Sequence, residues 1–132
     1  MPRLLEDNCA PKELSTAALA FIGDAVYSLM VRERLCCNHR LPADSLHKRA
    51  VEMVRCAAQA GAIAAAMETL TDEEKAVFTR GRNAHSSHIP KGAAVADYRA
   101  ATGLETLFGY LYLSGRTERL RELFDLLTAD SE

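Results

Sequence analysis

A chain of 132 residues with 48% hydrophobic and 26% charged side chains has the size and composition of one globular domain, expected over residues 1–132 with its core between about 14 and 127. Its net charge of −2 excludes a protein that coats nucleic acid by global attraction, so any polyanion site must be local. No apolar run reaches the roughly 18 residues of a membrane span, and the acidic start MPRLLEDNCAPKE lacks the basic and apolar stretches of a secretory signal; the expectation is a cytoplasmic protein with no membrane partner.

In chain order, Ala18, Phe21, Ile22, Ala25, Val26, Leu29 and Met30 recur at three- and four-residue spacing, which predicts a helix from Leu14 to Leu35 with one or more buried faces and Gly23 as a bend or division. Pro42, Asp44 and Ser45 form a helix start, and Leu46, Ala50, Met53, Val54, Ile63 and Met67 carry a long helical pattern to about Leu70. Thr71 with Glu74 three residues on is a capping box that opens a short helix from Asp72 to about Arg80. The stretch RGRNAHSSHIPKG, residues 80–92, mixes glycine, asparagine, serine and proline with basic side chains and reads as an exposed loop. Helical periodicity resumes at about Val95 and stops near Gly115; a last helix, Thr117 to about Leu127, buries Leu120, Leu123, Phe124 and Leu127. No segment has the period-two alternation of a strand, so the fold class is all-α, a helical bundle. The four cysteines, Cys9, Cys36, Cys37 and Cys56, form neither a C-x-x-C pair nor a disulfide framework and read as reduced thiols.

Two carboxylates stand out against this pattern. Asp24 lies in ALAFIGDAVYSLM and Glu105 in ATGLETLFGYLYL, where apolar neighbours predict burial or partial burial. A carboxylate so placed costs several kcal/mol, roughly, unless a cation or hydrogen-bond donors compensate it. Each acid can cap a helix or pair with an arginine; two acids in such similar settings also suit one shared divalent cation, since Mg²⁺ takes one or two carboxylates and keeps several waters. Between Lys75 and Ala96 there is no carboxylate, while Lys75, Arg80, Arg82 and Lys91 all fall there. A polyanion would bind in that stretch.

LAFIGDAVYSLMVRERL resembles the signature helix of the ribonuclease III superfamily, and ATGLETLFGYLYLSG resembles its partner helix. With LHKRAVEMVRCAAQA and RGRNAHSSHIPKGA between them, the order and spacing are similar to the compact bacterial branch, Mini-ribonuclease III, which lacks a double-stranded-RNA-binding domain. The likeness runs from about Leu14 to Leu127. Two positions depart from the larger enzymes: the glutamate one turn before the signature aspartate is Ala20 here, and the aspartate three residues before the partner glutamate is Thr102. The compact branch shares both changes.

The resemblance implies an all-α ribonuclease III-like endonuclease that hydrolyses double-stranded RNA to 5′-phosphate and 3′-hydroxyl ends. It implies Asp24 and Glu105 as catalytic metal ligands for Mg²⁺, with Mn²⁺ as a substitute. Thr102 either orients a water near the metal through its hydroxyl or bonds to its own helix backbone. Arg80, Arg82, Asn83, His85 and Lys91 are the expected RNA-binding residues, contacting phosphates and 2′-hydroxyls because A-form RNA is read mainly by shape; His47 and Lys48 match a similar pair in the family. The implied partners are a ribosomal (23S) RNA precursor and a second copy of the chain, for which the surplus apolar residues around Phe21, Leu29 and Leu104 to Leu113 provide surface. Two alternatives are an inactive RNA-binding module of the same fold and a helical protein-interaction adaptor.

Overall fold

The computed structural model describes residues 3–38, 40–57, 60–84 and 95–128. Their regular structure is entirely helical: a short 3₁₀ turn at Pro11–Glu13, then α1 (Thr16–Asn38), α2 (Ala43–Ala57), α3 (Ala60–Met67), α4 (Asp72–Arg82), α5 (Val95–Leu113) and α6 (Thr117–Thr128). No strand occurs among the described residues, as the lack of period-two patterning predicts.

Helix α5 is the axis of the bundle. Every residue from Gly103 to Leu111 except Glu105 is buried, a pattern that one apolar stripe cannot produce and that requires neighbours on several sides. α1 and α4 provide the main cover, and α6 and α3 close the remainder. Tyr27 joins three of these helices, with its ring 5.2 Å from that of Phe108 on α5 and 5.4 Å from that of Phe124 on α6. Edge-to-face aromatic pairs of this kind contribute about 0.5–1.5 kcal/mol beyond their burial.

The sequence signals at helix ends are realised. Thr71 Oγ1 accepts from the Glu74 amide at 3.2 Å and Glu74 Oε1 accepts from the Thr71 amide at 3.0 Å, so the capping box satisfies two otherwise orphaned donors. Gly115 adopts φ 75° in the turn after α5, a left-handed conformation in which a side chain is disfavoured. Glu74 is also the buried anion of the fold: Arg119 of α6 donates to it through Nε at 2.9 Å and through Nη2 at 2.9 Å. The second amino group also reaches the Thr69 carbonyl at 2.8 Å. These bonds hold the Glu74 carboxyl below the ordinary carboxylate range although burial pushes the other way.

Three sequence expectations are corrected. α1 is one continuous helix through Gly23, so the glycine does not divide it. The surplus apolar surface expected around Phe21, Leu29 and Leu104 to Leu113 lies on α1 and not on α5: Leu104, Leu107, Phe108, Tyr110 and Leu111 are buried. In α1 Leu19, Val26, Tyr27, Val31 and Leu35 are buried, whereas Phe21 is 83% exposed and Leu29 52% exposed. The helix thus carries two apolar flanks, only one of which faces α5. Finally, Arg80 and Arg82 lie in the last turn of α4, with Asn83 as its C-cap, and not in a loop beginning at residue 80. The expected helix to Leu70 is described as α2 and α3, on either side of residues 58 and 59.

Candidate metal and nucleic-acid site

The α1–α5 crossing brings the two conspicuous acids together. Gly23 of α1 is pressed against the α5 backbone: a Cβ on it would fall 1.6 Å from the Glu105 carbonyl oxygen and 2.8 Å from the Gly109 nitrogen. Gly109 is pressed back on α1, where a Cβ would fall 2.0 Å from the Leu19 carbonyl oxygen. Neither position can hold a side chain at this separation, and the residue after Gly23 is Asp24. With the helices so close, the Asp24 and Glu105 carboxyl groups are within hydrogen-bonding contact of each other.

The two acids differ in surroundings. Asp24 is exposed, contrary to the burial its neighbours suggest, and lies at the solvent edge of the α1–α5 crossing; Glu105 is half-buried. The Glu105 carboxyl is pushed up to about 8, first by burial and then by the hydrogen bond and negative charge of Asp24. Two carboxylates in contact cannot both carry charge cheaply, so the pair holds a proton or a cation. An all-oxygen pair of this kind suits a hard divalent ion. Among the described residues no group of three or more His, Cys, Asp and Glu assembles.

The positions flanking the pair match the simplified pattern. Ala20 and Thr102 are both half-buried, and the Thr102 hydroxyl donates to the Tyr98 carbonyl of its own helix at 3.0 Å, keeping its oxygen lone pairs available to accept. The basic end of α4 reaches the same part of α5. Gly81 sits so tightly there that a Cβ would fall 2.3 Å from Thr106 Oγ1 and 2.9 Å from Gly103 Cα, and these residues bracket Glu105. Arg80 and Arg82, on either side of Gly81, are exposed. Arg80 donates to the Leu14 carbonyl at 3.4 Å, and Arg82 Nε contacts Asn83 Oδ1 at 3.5 Å. His47 and Lys48 are exposed on α2. His85 and Lys91 lie outside the described residues.

Sequence reasoning missed the paired glycines. A glycine inside a helix costs about 1 kcal/mol relative to alanine, so Gly109 in the apolar run LFGYLYL was a signal of close backbone approach.

A model of the ribonuclease III domain matches residues 17–116. The chain belongs to the ribonuclease III family. Among its relatives, the Mini-ribonuclease 3 of Thermoanaerobacter sp. (strain X514) is 47% identical over 113 residues, covering 86% of this chain and 80% of that protein. The Mini-ribonuclease 3 of Enterococcus faecalis is 42% identical over 116 residues, covering 86% and 88% respectively. A crystal structure of a Fusobacterium nucleatum protein superposes with a TM-score of 0.79 at 22% identity, over 91% of this chain and 96% of that one, a likeness of fold. As a family member the chain is a divalent-metal-dependent endoribonuclease acting on double-stranded RNA. No helix of the described residues is long and apolar enough to cross a membrane.

Proposed function

We propose that the protein is a cytoplasmic Mg²⁺-dependent endoribonuclease whose catalytic ligands are Asp24 and Glu105, that residues 1–132 form one catalytic domain, and that it works as a homodimer on structured ribosomal RNA precursors. The observation that carries the reading is the contact between an exposed and a half-buried carboxyl across the α1–α5 crossing of a ribonuclease III chain. When bound, a divalent cation acidifies a water and offsets charge on the phosphodiester. Glu105, in its ionised form, and Asp24, at the solvent edge, would hold the ion. Arg80, Arg82 and Asn83 at the end of α4, with His85 and Lys91 beyond them, contact phosphates and 2′-hydroxyls; His47 and Lys48 contact the backbone from α2. Thr102 can accept a hydrogen bond from water while its own proton is held by Tyr98.

The uncovered flank of α1 supports the dimer. Phe21, Ala25 and Leu29 recur at four-residue intervals and are all exposed. Ala25 and Leu29 line a groove of about 570 Å³ together with Ile22, Val26, Met30, Leu120 and Phe124. A contiguous apolar surface of this kind favours a partner, and a two-fold axis would let each copy cover the other's flank.

The test is cleavage of long double-stranded RNA with Mg²⁺, against single-stranded RNA and against Asp24→Asn. Mg²⁺-dependent cutting of the duplex, abolished in Asp24→Asn, is expected. Intact duplex under conditions where the protein binds it would favour the inactive RNA-binding module, and no salt-sensitive RNA affinity at all would favour the adaptor.

A further inference from the structure

We propose that Gly109 is a positioning residue for the metal ligands: its missing side chain sets the α1–α5 distance, and that distance sets the spacing of Asp24 and Glu105. The proposal rests on the reading of those two acids as metal ligands. Gly109 lies one helical turn after Glu105, outside the Gly-Asp-Ala-Val run. The backbone contact at Leu19 lies on the α1 turn that precedes Asp24. A methyl group at 109 would stand 2.0 Å from the Leu19 carbonyl oxygen and 2.8 Å from Ile22 Cγ2. The first obstacle is backbone and cannot rotate away, so α5 must move from α1 by roughly 1.4 Å to reach an ordinary contact. That shift is about two-thirds of a Mg²⁺–oxygen bond, and misplacement of even about 1 Å costs on the order of 10²-fold in an organised site. Gly23 makes the reciprocal contact but adjoins Asp24 directly, so Gly109 is the position at which helix spacing can be changed without touching either acid.

The experiment is calorimetric titration of metal-free full-length protein with Mn²⁺, comparing wild type, Gly109→Ala, Asp24→Asn and Arg119→Ala. Arg119→Ala loosens the fold where α4 meets α6, away from the α1–α5 crossing, and serves as the control for reduced stability. Wild type and Arg119→Ala should bind alike, Asp24→Asn should not bind, and Gly109→Ala should bind at least tenfold more weakly while keeping its helical circular dichroism, with trimethylamine N-oxide added to all samples to support the fold. Wild-type affinity in Gly109→Ala overturns the proposal alone. Equal weakening in Arg119→Ala, or loss of helical signal in Gly109→Ala with the osmolyte present, makes Gly109 a residue of folding and also overturns it. Undiminished binding by Asp24→Asn overturns the metal-site reading and this proposal together.

Discussion

Replacing Glu105 with glutamine should stabilise the metal-free protein while destroying its response to metal. The Glu105 carboxyl rises from its ordinary value of 4.5 to about 8 through burial and the contact with Asp24. A folded-state pKa above the unfolded one means that the native protein binds more protons than the unfolded chain between these values. Stability from this group is therefore complete below about pH 4.5 and declines as pH rises to about 8. At about 1.4 kcal/mol per pH unit the shift sets a ceiling of roughly 5 kcal/mol. Solvent at the exposed Asp24 and the coupled titration of the two acids reduce this to about 1–2 kcal/mol. Urea denaturation in EDTA from pH 5 to 8.5 should show Glu105→Gln gaining on wild type as pH rises, by about that amount at the alkaline end. Saturating Mg²⁺ should then reverse the order, since a ligand at 100 times its Kd stabilises by about 2.7 kcal/mol and only wild type binds it. Parallel stability curves in EDTA would refute the reasoning, because they would mean that the two carboxyl groups do not share a strained electrostatic environment.

Metal binding should also release protons below about pH 8, because Glu105 must ionise to become a ligand; calorimetry in buffers of different ionisation enthalpy counts them, and a buffer-independent heat at pH 6 would contradict the shift. Arg119→Met should cost about 3 kcal/mol by leaving the Glu74 carboxylate buried without its partner. Since Glu74 is held below its ordinary range by that pair, its stabilising contribution should be present above about pH 4.5 and disappear on further acidification in wild type, but not in the variant. Phe21→Asp should convert the proposed dimer to monomer in sedimentation experiments with the helical content unchanged; an unaltered sedimentation coefficient would remove α1 from the interface. Replacing Arg80 and Arg82 with alanine should weaken duplex RNA binding and lower the slope of log affinity against log salt by about 1 for each phosphate no longer neutralised.

The sequence by itself determined what depends on neighbours in the chain. The Thr71–Glu74 capping box, the helix stop near Gly115, and Leu120, Leu123, Phe124 and Leu127 as the buried stripe of α6 follow from hydrogen bonds and periodicities that span four residues or fewer. Asp24 and Glu105 were conspicuous for the same reason, as charges in apolar helical runs. Only the tertiary structure decided which flank of α1 is covered, because a 3.6-residue period gives the phase of apolar residues around a helix axis and says nothing of which side a second helix will occupy. Hence Asp24 and Phe21, both read as members of an apolar helix, are exposed, and Gly23, read as a bend, is a contact surface. The meeting of Asp24 with Glu105, 81 positions apart in the chain, depends on two helices approaching to backbone contact at Gly23 and Gly109, and no local pattern encodes that distance.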